Sequence, residues 1–478
     1  MLKAILPLLH KKIFILLLLI VFFYAVIFSI LSITRHEHFS SHGWDLALYE
    51  QIIWKYSQGE VIVSTISKKL DFGDRFRPTM LLAVPFYKLW SDTKLLLILQ
   101  AVFIAISAIP IFLLAVQKTK NRFRSLIIAV SSMFFVGSQS LIMNDFHELA
   151  FLPVFIALMF LFLDRKQWVL YFLMVVFALG VREYVGFIIG VIGISLLFMK
   201  IPKKVAITTS ILSFIWSIFA ILVLIPQFGD SGYKGFLGNG QGFGTELLYL
   251  ITNPKFLLFH ALQPNVKIHT MVMSFASFGF LPLLYPPLLL PVIVHFLMRF
   301  LDLSRPYRWT YYYQYSADLA ILLAIASIYA NTTFEKLLSK IKLAWIRIPT
   351  SYLLLISFIF TQIITATPIK LFIHKEFFQP QTYMSNNNGM LKLIPPEASV
   401  AAQNSLAAHL GKRDQISILP YVNNAEYIAV DLHPNQDQFN FNGLTYESMK
   451  EILIKQQKNA YVEIYHQGDS YLLKKTSK

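Results

Sequence analysis

The sequence predicts an α-helical polytopic membrane protein with about eleven transmembrane helices and a small C-terminal α/β domain outside the membrane. Three observations predict this class. The 478 residues are 56% hydrophobic and only 14% charged, with a mean hydropathy of +0.57. Uncharged apolar runs recur up to residue 366, and residues 367–478 change to short alternating patterns. A soluble domain could not bury so much apolar surface.

The first apolar run, residues 13–33, is the clearest membrane span. At about 1.5 Å per residue it can cross a hydrocarbon core of roughly 30 Å. It exceeds the apolar region of a signal peptide and no small-residue cleavage site follows it, so we expect an uncleaved anchor. Ten further runs are expected to form helices, some of them extended by polar flanks or interrupted: residues 95–117, 125–143, 149–163, 168–181, 184–199, 205–226, 270–284, 286–298, 317–330 and 349–366.

The basic residues predict the orientation. Lys11 and Lys12 precede the first run, and alternate short loops are the basic ones, as expected for loops that face the cytoplasm. We therefore expect a multi-pass protein of the cell membrane with its N-terminus inside and its tail outside. The net charge of +16 is explained by these loops and by membrane lipids, so no nucleic-acid partner is expected. The chain has no cysteine, which excludes disulfides and thiolate metal sites.

Two units are expected, a transmembrane domain of residues 1–366 and an extracytoplasmic α/β domain of residues 367–478. The first has two outer loops, residues 34–94 and 227–269. In the first loop Leu46, Tyr49, Ile52 and Ile53 have helical spacing and predict an amphipathic helix along the membrane interface.

The second outer loop is glycine-rich at residues 229–244, which favours a mobile loop over a phosphate cradle. In the tail we expect strands at 399–402, 416–420, 427–431 and 460–465, interleaved with helices at 403–411 and 446–457.

Charged residues near the outer ends of the spans are the first candidate site. An ionisable side chain within a span costs roughly 2.5 to 3.5 kcal/mol, so such residues indicate function by default. The alternative is that they solvate loop tips and pair with one another, for example Arg182 with Glu148. The candidates that should converge at the outer face are Asp45, Asp71, Asp74, Asp145, His147, Glu148, Arg182 and Glu183.

The segment Arg305-Pro-Tyr-Arg-Trp-Thr-Tyr-Tyr-Tyr-Gln-Tyr315 is a second candidate. Its aromatic residues could simply form an interfacial belt. Alternatively, Arg305 and Arg308 could bind a phosphate beside tyrosines such as Tyr312 and Tyr313, which suit a sugar or an isoprenoid. A third group, His36, His38 and His42, has no helical spacing and favours surface histidines over a metal site.

Several motifs together resemble a family of prokaryotic multi-span membrane proteins classed as a domain of unknown function. They are Gly43-Trp-Asp-Leu-Ala-Leu-Tyr-Glu-Gln-Ile-Ile-Trp54, Asp71-Phe-Gly-Asp-Arg-Phe-Arg-Pro-Thr79, Asn144-Asp-Phe-His-Glu148, Val181-Arg-Glu-Tyr-Val-Gly186, Tyr312-Tyr-Gln-Tyr-Ser316 and Ile394-Pro-Pro-Glu-Ala-Ser-Val400. Members commonly have a histidine in a His-Phe/Tyr-Ser-Pro pattern, where this chain has Arg75-Phe-Arg-Pro78.

That family in turn resembles the GT-C glycosyltransferases by topology and one acidic position. The resemblance implies an acidic catalytic residue in the first outer loop, which Asp45 matches, and a polyprenyl-phosphate-sugar donor. Asp45 would be the base, and Arg182, Arg305 or Arg308 would hold the phosphate. Asp145, His147 and Glu148 would orient a glycan, lipid or protein acceptor or bind a divalent metal ion. A transporter or lipid flippase and a non-enzymatic membrane scaffold are the alternatives.

Overall fold

The structure, a computed structural model, describes residues 12–476 apart from 61–62, 230–236, 238–241 and 341–347. Within these residues the chain is mostly helical, and a helix occupies every apolar run identified in the sequence. Helices are required there because hydrocarbon offers no hydrogen-bond partner to the backbone. The helices before residue 365 are α1 Lys12–Glu37, α2 Leu48–Gln58, α3 Asp71–Asp74, α4 Val84–Leu89, α5 Thr93–Ile106, α6 Ala108–Thr119, α7 Arg122–Met133, α8 Val136–Met143, α9 Leu152–Asp164, α10 Trp168–Leu179, α11 Val185–Leu196, α12 Lys203–Phe219, α13 Ile225–Phe228, α14 Phe243–Thr252, α15 Pro254–Leu262, α16 Asn265–Ala276, α17 Pro286–Phe300, α18 Ala317–Lys340 and α19 Thr350–Ile364.

Five helical stretches in the described residues are long and apolar enough to cross a membrane: Lys12–Glu37, Thr93–Thr119, Arg122–Met143, Lys203–Phe228 and Gln314–Lys340. Four shorter apolar helices, α10, α11, α17 and α19, accompany them. The protein is therefore a membrane protein with several apolar helices, and the predicted total of about eleven spans stays a prediction.

The first outer loop differs from its prediction in one respect. Helix α2 forms as expected, but Leu46, Tyr49, Ile52 and Ile53 are at most 2% exposed. The apolar face of this helix packs inside the protein, against helix α4 among others, and does not lie on lipid. The expectation of an interfacial helix was wrong because amphipathic spacing does not distinguish a protein interior from a membrane surface.

The second outer loop is only partly described, since most of residues 229–244 lie outside the described residues. The remainder folds into the short helices α14 and α15, with Leu248, Ile251, Leu258 and Phe259 exposed. Such a concentration of exposed apolar side chains is typical of a surface that contacts lipid.

The tail contains a mixed five-stranded sheet. Its strands are β3 Val400–Ala402, β4 Ile416–Ile418, β5 Tyr427–Asp431, β6 Tyr461–Gln467 and β7 Ser470–Lys475, and a short hairpin, β1 Val63–Ser64 with β2 Lys69–Leu70, lies in the first outer loop. The strand order is β4-β3-β5-β7-β6. Strands β4, β3 and β5 are parallel to one another, and β7 is antiparallel to both of its neighbours, β5 and β6. Helices α20 Thr382–Leu391, α21 Asn404–Ala407 and α22 Tyr446–Lys458 accompany the sheet.

The sheet is joined to the rest of the chain through one face. Val400, Ala402, Ile418 and Ala429 belong to the main apolar core that the membrane helices share. The opposite face forms a separate small core with Met449 and Leu453 of α22. The tail strands thus bring α21 against the first outer loop, where the candidate site lies.

Candidate functional site at the first outer loop

Asp45 lies in a π-helical turn, Gly43–Ala47, that follows α1. A Cβ atom on Gly43 would meet the Cβ of Ala407 at 2.7 Å, so glycine allows the turn to approach α21. The Asp45 side chain is 42% exposed, and its Oδ1 lies 3.3 Å from Nε2 of His147, which is almost completely buried. The turn therefore presents a solvent-accessible carboxylate beside one fixed imidazole.

The loop that carries His147 is held by Gln100, a buried polar residue of helix α5. The Gln100 Oε1 accepts a hydrogen bond from the His147 backbone N–H at 2.8 Å, and its Nε2 donates to the backbone carbonyls of Leu141 at 2.9 Å and of Asp145. Helix α5 thus fixes the backbone from Leu141 to His147, the residue that contacts Asp45.

Asp145 connects this loop to the end of α1. Its carboxylate accepts a bond from Arg35 Nη1 at 2.7 Å and from the His42 backbone N–H at 3.0 Å, and the His42 imidazole lies 3.4 Å away. Burial alone would raise the pKa of Asp145, but Arg35 and His42 hold it well below its usual range. Asp145 is therefore an ionised structural anchor whose oxygens are already engaged.

A second buried network surrounds Tyr49. The Tyr49 hydroxyl donates to Glu148 Oε2 and accepts from Nη1 of Arg77 and Nη2 of Arg182, each at 3.2 Å. Arg182 Nε lies 2.6 Å from Glu148 Oε1, and Arg77 Nη2 lies 3.0 Å from Asp71 Oδ1. Burial raises the pKa of Glu148, but Arg182 and Arg77 outweigh it and keep the carboxyl ionised. Two cations and two anions thus neutralise one another in this network.

The remaining two carboxylates of the cluster have separate surroundings. Glu183 is fully buried and its Oε2 accepts from the Phe76 backbone N–H at 3.1 Å, which ties the first outer loop to the turn after α10. Asp74 is partly exposed and lies 3.6 Å from Arg75 Nη1.

The segment 305–315 is organised around Asp302, which is 1% exposed. Arg308 pairs with Asp302 and lies 4.7 Å from the ring centroid of Tyr315. Arg305 reaches the same carboxylate at 3.4 Å but stays 44% exposed, as does Tyr312 at 40%, whereas Tyr313 is half-buried. Arg305 is therefore the more accessible cation of the two.

The two candidate sites meet. Asn144 Nδ2 donates to the Tyr312 carbonyl at 3.0 Å, three residues before His147. Arg182 joins them through its ion pair with Glu148, the residue after His147. The expected convergence at one face is thus present for the loops of Asp45, His147, Arg182 and Tyr312.

The three histidines do not form a common site. The His36 ring stacks on His409 at 4.0 Å between centroids, His38 stacks on Phe377, and His42 contacts Asp145. Within the described residues no group of three or more His, Asp or Glu side chains is arranged to hold a metal ion.

Sequence reasoning missed several residues that build the site. Arg35, Tyr49, Arg77 and Gln100 were not among the candidates, although each is largely buried and bonded to one of them. Gln100 had a signal in the sequence, because its long amide side chain interrupts the apolar run 95–117.

The fold places this site in a known architecture. Over 97% of this chain and 98% of the other, the structure matches the crystal structure of ArnT from Cupriavidus metallidurans bound to undecaprenyl phosphate, with a TM-score of 0.56 and 9% sequence identity. The apo state of the same protein matches with a TM-score of 0.54 and 10% identity over 96% of this chain and 97% of the other. ArnT is a GT-C glycosyltransferase, so the resemblance to the GT-C fold is confirmed.

The family follows from the sequence. Residues 35–472 match the family described as "Predicted membrane protein (DUF2079)", and the chain belongs to it. No curated protein matches the chain significantly.

Proposed function

We propose that the protein is a GT-C-type membrane glycosyltransferase that moves a sugar from a polyprenyl-phosphate donor to an acceptor outside the cytoplasm. The observation that carries this proposal is the exposed carboxylate of Asp45, held beside His147 in the first outer loop of an ArnT-like fold. A transporter, flippase or scaffold role gains no support from that arrangement.

Asp45 would be the general base. As the acceptor oxygen attacks the anomeric carbon, its proton passes to the Asp45 carboxylate, and the bond between that carbon and the phosphate oxygen breaks. The electron pair of this bond leaves with the polyprenyl phosphate. Among the carboxylates of the site, Asp145, Glu148 and Asp71 are buried in ion pairs, which leaves Asp45 best suited to meet an acceptor.

His147 would be a positioning residue for the base. Its backbone is held by Gln100 and its ring is buried, so Nε2 holds the Asp45 carboxylate in one orientation. Fixed orientation of this kind lowers the barrier because the reacting groups need not be reorganised.

The segment 305–315 would bind the donor. Undecaprenyl phosphate is bound to the ArnT neighbour, and such a lipid keeps its tail in the bilayer while its head reaches the protein. Arg305 is accessible and can form charge-assisted bonds to a phosphate, and Tyr312 and Tyr313 would contact the isoprenoid or sugar. Arg182, which Glu148 and Tyr49 engage, would not contact the phosphate.

A divalent ion could assist the leaving phosphate. Asp45 would hold it with the carboxylate oxygen that His147 does not engage, and the phosphate oxygens would supply further ligands, as is common for Mg²⁺ at phosphate sites. When bound, such an ion would neutralise charge on the phosphate. The remaining carboxylates are engaged in the pairs described above.

The proposed topology agrees with this chemistry. About eleven spans, an N-terminus inside and a tail outside would place Asp45, the segment 305–315 and the tail on the outer face of the cell membrane. The acceptor would then be a glycan, lipid or protein of the cell envelope.

The test is the Asp45→Asn variant, which preserves volume and removes the base. Turnover of labelled polyprenyl-phosphate sugars should fall by roughly 10² to 10⁴. Asp414→Asn is the matched control, because Asp414 is exposed and contacts only Lys55 at 3.8 Å among the ion pairs of the described residues. Turnover of Asp45→Asn near the wild-type rate would rule the assignment out.

A further inference from the structure

A polar cavity in the tail lies where two parallel strands end. Strands β3 and β5 are neighbours, but the chain leaves β3 toward β4 on one side and leaves β5 toward β6 and β7 on the other. Ligands of α/β sheets commonly bind outside the carboxyl ends of strands at such a switch point. A cavity of about 560 Å³ opens directly after β5, and its walls include His433, Asn435, Gln436, Phe441, Tyr446 and Asp469.

His433 is held in a single orientation at this wall. Its Nδ1 lies 2.8 Å from Oδ2 of Asp431, and its ring stacks on Tyr383 with 3.8 Å between centroids and 6° between planes. Asp431 is fully buried and is itself held by the Asn387 amide at 2.6 Å. Because the carboxylate is an acceptor, Nδ1 carries a proton, and Nε2 is the ring nitrogen left for another partner.

In the part of the chain that the structure describes, His433 Nε2 has no hydrogen-bond partner. The other polar groups of His433 and Asp431 have partners. Gln436 donates to the carbonyls of Asp431 and His433 at 2.8 and 3.1 Å, and Gln403 accepts from the Asp431 N–H at 3.0 Å. A ring fixed on two sides with one ring nitrogen left at a cavity wall is preorganised for a ligand hydroxyl, which can both donate and accept.

The lining favours a neutral polyhydroxylated ring. Imidazole, amide and carboxylate groups can each bond hydroxyls, which both donate and accept, while Phe441 and Tyr446 offer apolar faces to a ring. No Lys or Arg is among the lining residues, all of which are described, so a phosphate would find no cation there.

The cavity is connected to the turn that carries Asp45. Asn404 Oδ1 accepts from the Trp44 N–H at 3.2 Å, and its Nδ2 donates to the Phe439 carbonyl at 2.7 Å. Phe439 belongs to the 3₁₀ turn Gln438–Phe441, whose last residue lines the cavity. Asn404 therefore joins the backbone of the Asp45 turn to a turn of the cavity wall.

We infer that this cavity binds a neutral glycan and holds the acceptor of the transfer. This inference rests on the proposed function for the acceptor role, and the binding of a glycan is measurable without it.

The experiment is saturation-transfer NMR on the full-length protein in detergent, with neutral tetrasaccharides of glucose, mannose and N-acetylglucosamine as probes and no donor present. At least one probe should bind the wild type. His433→Ala should weaken that binding by about 2- to 12-fold, the effect of one neutral hydrogen bond. Asn435→Gly is the second variant, because its φ of +65° suits glycine and the fold should persist.

His466→Ala is the matched control, since His466 lies on β6 outside the cavity lining and is exposed. Failure of all three probes to bind the wild type, or equal binding by wild type, His433→Ala and Asn435→Gly, would overturn the inference. The turnover of Asp45→Asn, whether lost or retained, bears on the proposed function alone, because the binding experiment contains no donor.

Discussion

At the residue scale, the carboxylates of the first outer loop are distinguished by their partners. Glu50, one helical residue after Tyr49, is 3% exposed, and its Oε1 accepts from the hydroxyls of Tyr87 at 2.9 Å and Thr93 at 2.5 Å. Burial raises the pKa of Glu50 to about 7 despite these two bonds, which favour the ionised form. Asp45 lies nearby but is exposed to solvent.

Glu50 predicts a pH dependence of stability. Its pKa is about 7 in the folded protein against an ordinary value of 4.5, so the folded state retains the proton longer. The stabilisation is complete below pH 4.5 and is lost as pH rises to 7. Glu50→Gln cannot ionise, so at about pH 8 its free energy of unfolding should exceed that of the wild type by about 3 kcal/mol. At low pH the two free energies should differ little.

Thermal unfolding in detergent at several pH values measures this difference. Glu451→Gln, an exposed carboxylate on α22, is the control and should follow the wild type. Parallel pH curves for the wild type and Glu50→Gln would contradict the prediction.

At the element scale, the segment 305–315 should bind the donor through its accessible arginine. Arg305→Ala should weaken undecaprenyl phosphate binding by roughly 10- to 150-fold, the effect of a charge-assisted hydrogen bond. Arg305→Lys should retain only part of the wild-type affinity, because an ammonium lacks the planar fork of a guanidinium. Arg308 is less suitable for this test, because its loss would leave the buried Asp302 poorly paired.

Binding can be measured by thermophoresis with purified protein. Arg122→Ala, at the start of α7 and on the opposite predicted face, controls for net charge. Equal dissociation constants for Arg305→Ala and the wild type would assign the segment to an interfacial belt.

Lys267 of helix α16 should hold the segment 305–315 in position through its contact with Trp309. Its fully buried Nζ donates to the carbonyls of His260 at 2.6 Å and Phe300 at 2.7 Å and lies 3.9 Å from the Trp309 ring centroid. Lys267→Met keeps an unbranched chain but leaves two carbonyls without this donor, at about 1 to 3 kcal/mol each. We expect a lower unfolding temperature and weaker donor binding.

Lys204→Met, an exposed position in the first turn of α12, is the control. If Lys267→Met matches the wild type in both unfolding temperature and donor affinity, Lys267 does not position the segment.

At the scale of the whole molecule, the proposed topology can be tested in a chain without native cysteine. Lys450→Cys, exposed on α22, should react with an impermeant thiol reagent added to intact cells, because the tail is predicted outside. Gln167→Cys, exposed between α9 and α10, should react only after lysis. The reverse pattern would invert the topology.

The sequence alone determined where the helices lie. Apolar runs must be helical in hydrocarbon, since the backbone can bond only to itself there, and the prediction of residues 427–431 as a strand matches β5. It also located Asp45 in the first outer loop after α1, and its motifs indicated the family that residues 35–472 match.

Apart from the pair of Arg182 with Glu148, only the tertiary structure decided which charges meet. Tyr49 and Glu148 are 99 residues apart and Arg35 and Asp145 are 110 apart, and each carboxylate had several complementary partners in the sequence. Strand β7 was missed for a related reason. Its Leu472 and Leu473 are buried in the two separate cores on opposite faces of the sheet, so the strand lacks the alternating pattern that a one-sided sheet imposes. Apolar periodicity is a local property, whereas the pairing of charges and the covering of both sheet faces depend on segments that only folding brings together.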